Sequence, residues 1–188
     1  MKTIKKLSIL FLSTLVFLGC SNDDIPIPVN EEEVITTLTA VLTPVGGGTA
    51  VTLQTRDLDG DGPNAPTITV SGPLAVNTVY NGNLTLLNET ESPAELKNTE
   101  IEEESNEHQF FFEVTNNIGS FAYRDTDGNG NPLGLEFTFT TTANTGSGNM
   151  TITLRHEPNK TAAGVAEGDI TNAGGETDIE GTFSVTVQ

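Results

Sequence analysis

The sequence predicts an all-β fold: an antiparallel β-sandwich of the Ig-like, Greek-key type, built from two duplicated halves behind an N-terminal lipoprotein signal peptide. Three observations carry this. Short apolar runs alternate with period 2 through most of the chain. Turns rich in Gly and Asn separate them, in a chain with 19 Gly, 9 Phe and no Trp. Several stretches also recur in order: Arg56-Asp57-Leu58-Asp59-Gly60-Asp61-Gly62 with Arg124-Asp125-Thr126-Asp127-Gly128-Asn129-Gly130, then Gly82-Asn83-Leu84-Thr85 with Gly148-Asn149-Met150-Thr151. A weaker echo joins Thr99-Glu100-Ile101-Glu102 to Thr177-Asp178-Ile179-Glu180. The halves are residues 34–107 and 108–188, and neither is large enough to bury a core alone.

The first nineteen residues read as an address. Lys2, Lys5 and Lys6 form a basic start, residues 7–18 are mostly apolar, and Phe17-Leu18-Gly19-Cys20 closes the segment. The apolar run fits a signal-peptide core and is too short for a membrane span of about 20 residues. A small residue before the chain's single Cys resembles the lipobox of bacterial lipoproteins, which implies cleavage before Cys20 and acylation there. Residues 20–33 then read as a tether, held out of helix by Pro26 and Pro28 and kept solvated by its acidic residues.

The remaining residues, 34–188, are expected to form one domain. In its first half Leu38, Ala40 and Leu42 share one strand face, Val51 and Leu53 another, followed by Ile68 with Val70 and Leu84 with Leu86. Ser92-Pro93-Ala94-Glu95 has a capping Ser, a first-turn Pro and a third-position Glu, and is the one place where a helix is expected to open. In the second half Phe110, Phe112 and Val114 align, then Phe121 with Tyr123, then Leu135, Phe137 and Phe139. Met150, Ile152 and Leu154 follow, and Phe183, Val185 and Val187 close the chain.

The strings Leu87-Asn88-Glu89-Thr90-Glu91-Ser92-Pro93-Ala94-Glu95, Leu154-Arg155-His156-Glu157-Pro158-Asn159-Lys160 and Gly168-Asp169-Ile170-Thr171-Asn172-Ala173-Gly174-Gly175-Glu176-Thr177-Asp178, with the first Asp-Gly stretch through Pro63, resemble a family of small flavobacterial surface lipoproteins. That family is often labelled "type 1 periplasmic binding fold" and found beside TonB-dependent receptors. The resemblance implies an outer-membrane, cell-surface location and a TonB-dependent receptor as partner, and it carries no catalytic residue. Its fold label belongs to large α/β proteins, whereas this chain shows no alternation of strand and helix.

Two kinds of metal site are expected. Asp125, Asp127, Asn129, Asn131 and Glu136 fit the spacing of a Ca²⁺ loop, in which alternate side chains face one centre and the last Glu adds two oxygens. Asp57, Asp59 and Asp61 open in the same way, with Ile68 where the Glu should be. The plainer alternative for both loops is a hairpin connection, since Asp, Asn and Gly also serve tight turns. His108 is in phase with Phe110 and Phe112, and His156 with Ile152 and Leu154. Strands that reverse in succession bring both histidines to one pole of the sandwich. With Glu107 and Glu157 they could ligate Zn²⁺ or Cu²⁺, or two imidazoles alone could hold haem iron. The alternative is two strand-end histidines bonded to nearby carboxylates.

Composition narrows the function classes. Eight basic against 26 acidic residues, net charge −18, argue against nucleic acid. No G-x-S-x-G or H-E-x-x-H occurs, and Cys20 is committed to lipid, so no enzyme and no organic cofactor is expected. The leading expectation is a surface lipoprotein that binds a metal ion or metal complex as accessory to a receptor. A Ca²⁺-stabilised adhesive or structural domain comes second and a carbohydrate-binding module third.

Overall fold

The computed structural model describes residues 33–60 and 62–188. The expected signal peptide, Cys20, the expected tether up to residue 32 and Asp61 lie outside the described residues.

The period-2 runs become ten strands in two antiparallel sheets. They are β1 (Thr37–Pro44), β2 (Val51–Arg56), β3 (Thr67–Val70), β4 (Val79–Asn88), β5 (Glu95–Leu96), β6 (His108–Val114), β7 (Gly119–Tyr123), β8 (Glu136–Thr141), β9 (Gly146–His156) and β10 (Glu176–Val187). The larger sheet runs β3-β2-β1-β4-β8-β7, with β5 against the end of β4. The smaller runs β10-β9-β6. The spatial order 3-2-1-4 of the first four strands is a Greek key. The two sheets pack together as an all-β sandwich.

One core lies between them. Leu38, Ala40 and Leu42 of β1 alternate with less buried neighbours and face Phe110, Met150, Ile152, Leu154, Phe183 and Val185 of the smaller sheet in the same cluster. Each of the Leu, Ile, Val, Met and Phe side chains among them, fully buried, contributes on the order of 1.5–3 kcal/mol. Gly82 of β4 lies opposite Phe137 of β8. A Cβ there would sit 2.3 Å from the Phe137 ring, so the bare glycine gives that ring its place on the sheet.

The structure departs from the sequence expectations in three ways and adds one segment that those expectations do not cover. No helix opens at Ser92–Glu95. Glu95 and Leu96 pair with Asn88 and Leu87, and the helix α1 is Asn98–Glu103. The Asn98 side chain accepts from Leu86 N and donates to Leu84 O, so it extends the β4 ladder where β5 ends. Ile68 is exposed on β3, which is an edge strand of the larger sheet. The halves are not equivalent: β1–β5 all join the larger sheet, whereas residues 108–188 supply strands to both, and the weakest echo pairs α1 with β10. Finally, residues 157–175, with short 3-10 turns at Val165–Glu167 and Ile170–Asn172, fold over the outer face of the smaller sheet and bury Phe111 with Val165 and Ala173.

Candidate metal centre

His108 opens β6 and His156 closes β9, and the two are direct partners in the antiparallel register. Partnered residues project to the same face, so the rings meet: they stack with centroids 4.7 Å apart and planes 9° from parallel. Both are buried, His108 fully. The parity of the flanking phenylalanines and leucines thus brings the two histidines together at one end of the sandwich.

The hydrogen bonds of His108 set its tautomer. Nδ1 donates to the Glu104 carbonyl at 3.2 Å, since a carbonyl can only accept. This leaves Nε2 with its lone pair and without a hydrogen-bond partner. It faces Glu33 Oε1 at 3.6 Å and Asp178 Oδ2 at 3.7 Å. Burial is the main force holding the His108 pKa down, to about 4, with lesser contributions from His156 and Lys160; the Glu104 carbonyl and Glu100 oppose it. His156 Nδ1 is likewise buried without a hydrogen bond.

Two carboxylates complete the cluster, and the sequence reading assigned a role to neither. Asp178 follows a register shift in which β10 slips against β9 between Thr177 and Ile179. Strand parity alone sets residue 178 opposite in sense to Ile179 and Phe183. The bulge re-aims it, and its side chain is wholly buried. Glu33 ends the segment expected to be a solvated tether, yet its side chain is 6 % exposed and neither oxygen has a hydrogen-bond partner. Its pKa is pushed up to about 7, chiefly by burial and then by Glu100; Asp178 and Glu104 add to this, against Lys97. With His108 neutral and Glu33 partly protonated near pH 7, their contact is not an ion pair.

Glu107 and Glu157 stand on the outer side of His156. Glu107 Oε2 lies 3.9 Å from His156 Nε2 and is exposed, and Glu157 is exposed too. His156 therefore borders two groups, an inner one with His108 and Asp178 and an outer one with Glu107 and Glu157. Among the described residues, every cluster of three or more His, Asp or Glu groups whose ligand atoms lie within 4.8 Å of one another includes one of these histidines.

The Asp loops do not converge in that way. Asp125 accepts from the backbone N–H of Gly134 and Glu136 at 2.7 and 2.8 Å. Asp127 accepts from the N–H of Asn129 and Asn131 and from the ammonium of Lys160 at 3.0 Å. The Asn131 amide donates to Asp127 Oδ2, and the Asn129 amide turns away to Asn106. Glu136 lies on β8 with its side chain exposed. Lys160 Nζ also donates to the carbonyls of Ser105 and Pro132, so a buried ammonium already engages Asp127, one of the five residues that the spacing offers to a cation. The 125–136 loop is a turn closed by a lysine. In the other loop Asp57 accepts from the N–H of Asp59 and Gly60, and Asp59 from Asn64, which are turn contacts; Asp61 is not described.

A cleft of about 620 Å³ adjoins the inner cluster, with Glu33 and Asp178 in its wall. Compared with known proteins, this chain matches no protein-family model, no curated protein and no solved structure.

Proposed function

We propose that this domain binds a transition-metal ion, Zn²⁺ or Cu²⁺, through His108, His156 and Asp178, with Glu33 as a further oxygen ligand. The observation that carries this reading is the stacked histidine pair, whose unpartnered buried nitrogen faces two carboxylates. Ligands about 2.1 Å from a tetrahedral Zn²⁺ lie about 3.4 Å from one another. The inner cluster has its ligand atoms within 4.8 Å, and closing on an ion takes a rotation of the stacked imidazoles that turns their in-plane lone pairs toward one point. The Glu104 carbonyl fixes the tautomer and ring orientation of His108, the usual service of an outer-shell acceptor to a metal-binding imidazole. An arriving cation also replaces the proton on Glu33, which relieves the burial of an uncompensated carboxylate.

In this reading the protein holds an ion and does no chemistry on it. Cys20 carries the lipid, the anchored domain sits at the outer membrane facing the cell surface, and a TonB-dependent receptor takes the cargo. The basic-apolar-Cys segment and the family resemblance support that address and that partner.

Isothermal titration of Zn²⁺ and Cu²⁺ into chelator-treated full-length protein tests the site. The parent binds one equivalent, and the double variant His108→Ala/His156→Ala loses at least tenfold in affinity. Equal affinities in the two proteins refute the reading. For the address, Cys20→Ala moves the protein out of the membrane fraction; an unchanged distribution refutes the lipid anchor.

A further inference from the structure

The cleft beside the histidine cluster is lined by the turn after β2, the start of the chain described here, and β10. Among the described residues Asp57, Asp59 and Glu180 add three further acidic residues to its lining, and none that lines it is Lys, Arg or His. Leu58 and Val34 stand at it as exposed apolar side chains, 48 % and 53 % accessible. Glu33 joins cleft and cluster: it lines the cleft, its side chain is 94 % buried by the 6 % exposure above, and its oxygens have no hydrogen-bond partner. A buried carboxyl without a donor, in the wall of an acidic cleft, marks a place for positive charge.

The volume is far larger than a bare ion fills. A single hydrated divalent cation takes up a small part of about 620 Å³, whereas a small organic molecule fits that range. From this, and resting on the metal reading above, we infer that the cargo is a partly chelated metal ion of net positive charge. The metal sits at His108 and His156 with Asp178, the chelator keeps its remaining coordination positions, and that neutral, apolar organic ligand lies past Glu33 in the cleft against Leu58 and Val34. Binding exchanges metal-bound waters for imidazole and carboxylate and leaves the chelator in place. The chemistry of the wall sets the class: nitrogen-donor chelates keep the ion's full charge, whereas carboxylate chelates cancel it and meet Asp57, Asp59 and Glu180 as like charges.

The test uses full-length protein and four probes: free Cu²⁺, Cu²⁺–2,2′-bipyridine, Cu²⁺–iminodiacetate and Cu²⁺–nitrilotriacetate, whose net charge falls from positive through neutral to negative. The parent prefers the bipyridine complex over each carboxylate complex by about tenfold or more. The cleft variant Asp57→Asn/Asp59→Asn/Glu180→Gln loses most of that preference while keeping its affinity for free Cu²⁺. Each substitution retains an acceptor oxygen for the local hydrogen bonds. The variant Glu113→Gln/Glu136→Gln/Glu167→Gln removes equal charge from exposed positions outside the cleft and keeps the preference. If free Cu²⁺ binds but the three complexes bind alike, or the remote variant loses the preference as fully as the cleft variant, the inference fails and the metal site stands. If free Cu²⁺ does not bind, the metal site fails and takes this inference with it.

Discussion

His108 Nε2 lies 3.7 Å from Asp178 Oδ2, both side chains without solvent exposure, although strand parity points residue 178 the other way. A one-residue slip of β10 against β9 makes that approach possible. The same neighbourhood holds Glu33, so a neutral histidine and a protonatable carboxyl share one buried space.

That arrangement predicts an unusual pH response of the metal-free protein. His108 has its pKa lowered from 6.5 to about 4. The unfolded chain therefore takes up its proton first, and stability from this residue is lost as pH falls from about 6.5 to 4. Glu33 has its pKa raised from 4.5 to about 7, so the folded state keeps its proton longer, and its contribution is lost as pH rises from about 4.5 to 7. Between pH 4.5 and 6.5 the two oppose each other. In Glu33→Gln only the histidine remains, and the melting temperature in chelator should fall more steeply on acidification over that interval than in the parent. Parallel melting curves against pH would contradict this.

Lys160 and Asp127 have side chains 4 % and 0 % exposed and are joined at 3.0 Å. Removing one partner of such a pair leaves a buried charge, at a cost of about 3–5 kcal/mol. Lys160→Met should therefore destabilise strongly in urea, and adding Asp127→Asn to it should recover part of the loss. Because the ammonium already engages the Asp127 carboxylate, the melting temperature of the metal-free parent should not respond to Ca²⁺. A rise with Ca²⁺ that Asp127→Ala abolishes would restore the Ca²⁺ loop.

Gly175 precedes β10 with φ +69°, and a Cβ there would lie 2.1 Å from the His156 carbonyl oxygen. Backbone must move to admit it. Gly175→Ala should cost about 1–3 kcal/mol in denaturant unfolding and weaken Zn²⁺ binding, since the strain falls on the residue that carries the second imidazole. Gly174→Ala, whose Cβ would meet nothing within 4 Å, controls for the positive φ that both glycines share. Equal metal affinities in the two variants would detach Gly175 from the site.

How much of the site could be read from the chain depends on the residue. His108 and His156 were legible because period 2 ties each to its apolar neighbours, and antiparallel reversal returns both to one end. Glu107 and Glu157 were legible as neighbours, and they lie on the outer side of His156. Asp178 was hidden by a bulge, which breaks the alternation that a sequence reading relies on. Glu33 was hidden because its acidic surroundings read as solvated tether, while its environment is made by α1 and β10. The 125–136 spacing was a true pattern with a partner the spacing does not show: Lys160, which engages Asp127, comes from the segment after β9. The helix expected at Ser92 yields to backbone pairing with β4, a contact made across a turn.

The chain by itself determined that this is an all-β protein, where most of its strands lie and which side chains fill its core, because alternation and turn residues act over a few neighbouring positions. It also determined that two histidines share the core-facing phase of their strands. Only the tertiary structure decided which strands form which sheet, that a lysine closes the acidic loop, and that Glu33 and Asp178 join the histidines. Those outcomes depend on contacts between segments distant in sequence and on a register slip, and neither leaves a periodic mark on the residues that make it.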